Sequence, residues 1–135
     1  MKKKIVLAIA FICVAVCIGN YFYYATPHRF DIPSAAKLKI FNGTTGQSLE
    51  VTDTEVISRI TENISAIEFE RGKKEKIDGY AYTLTWYDAD GKVIESLNLL
   101  GSGAIIKNDR RYTSNGKVNV EIDLEYIDTL FPPAE

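Results

Sequence analysis

The sequence predicts an α+β fold: an antiparallel meander sheet with one amphipathic helix packed on one face and a short C-terminal helix, preceded by one N-terminal transmembrane helix. Three observations predict it. An uncharged apolar run opens the chain, one internal stretch repeats its apolar residues at helical spacing, and most of the remainder alternates with period two between turn residues. Strands surrounding a single amphipathic helix define a two-layer arrangement. With 135 residues, 46% of them hydrophobic, the chain is sized for one ordinary domain behind a targeting segment. The expected division is 1–25 membrane anchor or signal sequence, 26–36 stalk, and 37–135 extracytoplasmic domain.

The opening stretch, MKKKIVLAIAFICVAVCIGNYFYY, places Lys2, Lys3 and Lys4 before fourteen residues free of charge and proline, Ile5 to Ile18. Continued through Tyr24, the run makes a helix of roughly 30 Å, about one hydrocarbon core. Lysines at one end and Tyr21, Phe22, Tyr23 and Tyr24 at the other fit a cytoplasmic N-terminus and an outward domain on a single-pass protein of the cell membrane. Three fates compete: retention as an anchor, lipidation at Cys17, and cleavage. Cleavage after Ala25 requires a small residue two positions earlier, where bulky Tyr23 stands. Lipidation requires a small residue before the cysteine, but Val16 precedes Cys17 and Ile12 precedes Cys13. Retention is therefore favoured, with both cysteines as small apolar members of the helix. No cysteine follows residue 17, so the domain has no disulfide, which suits a Gram-positive surface.

Beyond the anchor, Thr26 to Ala36 contains two prolines and no apolar period, reading as a stalk that leaves His28 in solvent or at the interface. LKIFNGTTGQSLEVTD reads as strand, turn at Asn42 to Gly46, strand. Thr52 with Glu55 matches a capping box, and Val56, Ile57, Ile60, Ile64 and Ile67 form one apolar stripe, leaving Arg59, Glu62, Asn63 and Ser65 to water. Ala66 to Glu70 turns into a strand, followed by a charged loop from Arg71 to Asp78. In the hairpin GYAYTLTWYDADGKVIESLNLLG, Tyr80, Tyr82, Leu84 and Trp86 alternate with Ala81, Thr83, Thr85 and Tyr87, giving a large apolar face toward the helix and a small polar face away from it. A type I turn with Gly91 left-handed sets Tyr87 opposite Val93 and Thr85 opposite Glu95. AIIKNDRRYT is a second hairpin with Asn108 and Asp109 at its tip, and Asp123 caps a helix from Leu124 to Phe131 ahead of Pro132 and Pro133.

Charge excludes some functions. From Thr26 onward thirteen Lys and Arg face eighteen Asp and Glu, a formal charge of −5, which opposes nucleic-acid binding and adsorption to anionic lipid. The sequence Asp88-Ala89-Asp90-Gly91 is the core of a calcium loop, but the pattern then puts Trp86 and Leu97 at ligand positions, so it reads as a turn. Nucleophile motifs are missing from the exported part, and the one histidine lies in the expected stalk. Catalysis, a metal and a cofactor are not expected.

The candidate binding residues are Thr83, Thr85 and Tyr87 on the open sheet face, and Arg110 and Arg111 at the second hairpin. Either group suits a protein or cell-wall component at the outer membrane surface. The expected function is a non-catalytic, membrane-tethered interaction or sensory module; the alternatives are a small-ligand-binding, lipoprotein-like surface domain with a pocket lined by Tyr80, Tyr82 and Trp86, and an envelope hydrolase using two carboxylates.

The pieces VTDTEVISRITENI, YAYTLTWYDADGKVIESL and DLEYIDTLF, in that order, resemble the small uncharacterised membrane-anchored extracytoplasmic domains of Gram-positive, Firmicutes-type bacteria. In those a capped helix precedes a Tyr-x-Leu-x-Phe/Trp-Tyr-Asp hairpin and a short helix closes the chain. The resemblance spans Leu38 to Phe131 and implies a membrane-tethered or lipid-anchored domain with no functional residue to carry over. Val16 departs from the lipoproteins of that kind, which have a small residue before the cysteine.

Overall fold

A computed structural model describes residues 1–76 and 79–133. The chain runs α1 (Lys2–Ala25), β1 (Lys37–Asn42), β2 (Ser48–Val51), α2 (Thr54–Ser65), β3 (Phe69–Lys74), β4 (Tyr82–Tyr87), β5 (Val93–Gly101), β6 (Ala104–Lys107), β7 (Arg110–Ser114) and α3 (Leu124–Thr129). This is the α+β order expected from the sequence. One antiparallel sheet holds all seven strands in the order β2-β1-β4-β5-β6-β7-β3. The two edge strands, β2 and β3, are joined in sequence through α2, so the helix crosses the sheet from one edge to the other.

Period-two alternation sends Leu38, Ile40, Tyr82, Leu84, Trp86, Leu97, Leu99, Ile105, Tyr112 and Phe69 to one face, where Ile57, Ile60 and Ile64 of α2 meet them. Each such side chain contributes about 1.5–3 kcal/mol when fully buried. Ile122, Ile127 and Phe131 bring the C-terminal segment into the same core. Asp123 caps α3 by accepting from the Tyr126 amide at 3.1 Å, and the helix ends at Thr129, two residues short of the expected Phe131.

Several local expectations are corrected. Segment 26–36 is not a free stalk: Phe30 and Ile32 are 2% and 7% exposed within the core, and His28 pairs with Phe69 through two backbone hydrogen bonds of 2.8 Å. His28, Phe30 and Ile32 alternate with Arg29 and Asp31 at period two, a signal hidden by the flanking prolines. The cap of α2 is Asp53, which accepts from the Glu55 amide at 2.9 Å, rather than Thr52. Ile67 is buried beyond the end of α2, in the turn toward β3. Strand β3 continues from Phe69 through Lys74, where a charged loop was expected, because β7 supplies hydrogen-bond partners for this edge. The end of that expected loop, Ile77 and Asp78, lies outside the described residues.

The hairpins follow their turn chemistry. Tyr87 opposes Val93 as expected, with Gly91 at φ 82°, but a register shift at Trp86/Tyr87 sets Trp86 opposite Glu95 and Thr85 opposite Ser96. Asp88 Oδ1 accepts from the amides of Asp90 and Lys92, both at 2.9 Å, which commits that carboxylate to the turn. Asn108 and Asp109 have φ of 51° and 60°, the positive pair of a type I′ hairpin. At the first turn, Asn42 Oδ1 accepts from the Thr44 and Thr45 amides. Gly43 lies so close to the Tyr80 carbonyl that a Cβ would collide with it.

Candidate interaction surface

The face of the sheet away from α2 is built from the other half of the same alternation. Leu38 and Ile40 point inward on β1, which turns Lys39 and Phe41 outward; register then sets Lys39 beside Thr85, and Phe41 beside Thr83. Thr83 Oγ1 donates to Asn98 Oδ1 at 2.8 Å, and the Thr85 and Ser96 hydroxyls lie 3.4 Å apart. Lys37 Nζ lies 4.7 Å from the centre of the Tyr87 ring. Lys39, Phe41, Ser48, Thr83, Thr85 and Tyr87 line a shallow depression of about 270 Å³. Phe41, near the end of β1, is 41% exposed and Val93, opposite Tyr87, is 59% exposed. The result is a floor of hydroxyls bounded by two aromatic rings and edged by two lysines.

The structure thus brings Thr83, Thr85 and Tyr87 together and adds Lys39 and Phe41, which the sequence reading missed. Their signal was the Lys-Leu-Lys-Ile-Phe alternation of β1. It does not bring Arg110 and Arg111 to this surface. Arg110 is half-buried and donates through Nη1 to the Gly72 carbonyl at 2.8 Å, while Arg111 Nε lies 3.4 Å from Glu75 Oε1. Neither forms the hairpin tip, because the type I′ turn is made by Asn108 and Asp109.

Near the end of α1 the molecule has a second feature absent from the sequence reading. Arg71 Nη1 donates to the Tyr23 carbonyl at 2.7 Å, its Nη2 lies 3.1 Å from His28 Nδ1, and its guanidinium sits 4.4 Å from the centre of the Tyr23 ring. A cation at a helix C-terminus answers both the free carbonyls and the negative end of the dipole. His28 is therefore not left in solvent but sits half-buried, its ring 4.7 Å from Phe30 and 4.8 Å from Tyr112. Burial, then the charges of Arg71 and Lys107, lower its pKa below 6.5, against an opposing pull from Glu95.

Other polar clusters are internally engaged. Between α2 and α3 lies an open groove of about 660 Å³, in which Arg59 stacks 3.7 Å from the Tyr126 ring centre. There Asn63 donates to the Glu121 carbonyl and accepts from the Asp123 amide, each at 2.9 Å, so this half-buried side chain holds the C-terminal segment. Trp86 and Tyr82 are packed in the core. Among the described residues, no three His, Cys, Asp or Glu side chains gather as metal ligands would.

These features define an α+β two-layer domain behind a helix long and apolar enough to cross a membrane. No protein-family model, curated protein or solved structure matches the chain.

Proposed function

We propose that this chain is a non-catalytic, membrane-tethered interaction or sensory module of the small Gram-positive extracytoplasmic type. In this reading α1 is retained as a single-pass anchor with its N-terminus in the cytoplasm, and the domain works outside. The observation that carries the reading is the pairing of an apolar α1, 24 residues long, with an uncovered sheet face on which Phe41, near the end of β1, is exposed. A solvated face of an antiparallel sheet is ordinarily polar. Exposed aromatic residues such as Phe41 and Tyr87 are instead enriched at sites that receive another protein chain.

The partner is accordingly a protein that lays a strand or loop across Lys39, Phe41, Thr83, Thr85 and Tyr87. A photo-crosslinking amino acid at Thr83, carried by the full chain in native membranes, tests this. One adduct of defined mass is expected, and T85K should remove it. Capture of wall polymer instead of protein would move the partner class. A T83K/T85K variant that pulls down the same partners as the wild type would refute the surface.

A further inference from the structure

We infer that strands β3 and β7 present Arg71, Lys73, Lys74 and Arg110 to the anionic phospholipid headgroups of the leaflet from which α1 emerges, so that the domain rests on the membrane surface. The inference relies on the reading of α1 as a membrane anchor. In that reading Tyr21 to Tyr24 lie at headgroup depth, where tyrosines collect at the ends of spanning helices. Arg71 and Arg110 are tied to the same depth, their guanidinium carbons 4.4 and 5.8 Å from the Tyr23 ring centre. Lys74 is the register partner of Arg110, and Lys73 and Lys74 are both exposed. At roughly 3.3 Å per residue, Lys74 is about 10 Å along β3 from Arg71, so the cations lie within about one Debye length of each other at physiological salt.

Among the described residues no ion pair engages this group. The five ion pairs among the described residues are Arg29–Glu68, Lys37–Glu50, Arg59–Asp123, Lys107–Glu95 and Arg111–Glu75, and none uses these four cations. Glu75, the nearest acid along the chain to Lys74, is taken by Arg111. Glu70 precedes Arg71 on the strand and so points away from the side that the register, shifted between Arg71 and Lys74, gives to Arg71, Lys74 and Arg110. The formal charge of −5 from Thr26 onward therefore hides a local excess of the opposite sign, because strand pairing gathers cations that are about 35 residues apart in sequence. Phosphate esters are the anions present in quantity at that depth, and each basic side chain near such a surface favours association about fivefold.

The full chain in phosphatidylcholine nanodiscs, with and without phosphatidylglycerol, tests the inference by amide hydrogen exchange. Exchange across residues 70–76 and 109–112 should slow about fivefold or more when phosphatidylglycerol is present. Salt near 1 M, where the screening length is about 3 Å, should abolish the effect. K73Q/K74Q should weaken it with the Trp86 emission of the core unchanged. Equal exchange in both membranes would overturn the inference, as would an equal slowing caused by inorganic phosphate in phosphatidylcholine discs. Failure of the chain to enter either disc would instead refute the anchor on which the inference rests, so the two failures are distinguishable.

Discussion

The indole Nε1–H of Trp86 donates to Thr61 Oγ1 at 3.0 Å, and the Thr61 hydroxyl in turn donates to the Ile57 carbonyl at 2.7 Å. Trp86 is fully buried, so this chain of two bonds satisfies the only polar atom of the largest core side chain and fixes α2 in its position over β4. Thr61→Val keeps the shape of the side chain and removes the acceptor, leaving a buried donor unpaired at a cost of about 1–3 kcal/mol. Thr61→Ser keeps the bond and should lose less than half of that. Urea unfolding followed by Trp86 fluorescence reads both variants, and equal midpoints for the two would show that the bond contributes nothing.

Tyr82 reaches from β4 to α3, its hydroxyl donating to Asp128 Oδ1 at 3.0 Å. Burial, and then this carboxylate, push its phenol up to about 12. Its ionisation should therefore be absent from an ultraviolet titration of the folded protein until well above the range of an exposed tyrosine. Because Asp128 is exposed, Tyr82→Phe should cost only about 1 kcal/mol, seen as earlier release of α3 in hydrogen exchange.

His28 faces Arg71 on β3, Lys107 on β6 and Tyr112 on β7, with Glu95 of β5 as the counter-charge. Its folded pKa lies below 6.5, so as pH falls through that value the unfolded chain binds the proton before the folded one does. Stability is thus unaffected by His28 well above 6.5 and is lost progressively as pH drops toward the folded pKa. Protonation also removes the Nδ1 acceptor beside Arg71. Between about pH 8 and about pH 5 the denaturation midpoint of the wild type should fall more than that of His28→Gln, which retains an acceptor. Parallel pH profiles would exclude His28 as the source.

Gly43 is required for the space it leaves, and Gly46 for its backbone. A Cβ at 43 runs into the Tyr80 carbonyl, whereas Gly46 has open space around it and φ of 77°. Gly43→Ala should cost about 1–3 kcal/mol because backbone must move. Gly46→Ala should cost about 1–2 kcal/mol through its left-handed conformation alone. A crystal structure or chemical-shift map should then show displacement around Tyr80 only in the Gly43 variant.

Much of the architecture was legible in the residues. The order of nine elements after α1, the Trp86 face toward the helix, the Asp88–Gly91 and Asn108–Asp109 turns and the Asp123 cap all follow from local rules: period two, period 3.6, positive φ and side-chain capping. Such rules act within a few residues, so one chain carries them openly. The open face of Thr83, Thr85 and Tyr87 was legible for the same reason, since alternation alone assigns side chains to faces.

Contacts between distant segments were decided only by the tertiary structure. Proline-bearing segment 26–36 resembles a stalk until the bridge to Phe69 and the burial of Phe30 are present, and FERGKK resembles a wet loop until β7 pairs with it. The same pairing draws Arg71 and Arg110 to the end of α1, which a formal charge of −5 from Thr26 onward gives no reason to expect. Local propensity is a property of neighbours in sequence. A strand edge, a half-buried histidine and a cluster of cations are properties of neighbours in space, and these exist only once the sheet order is set.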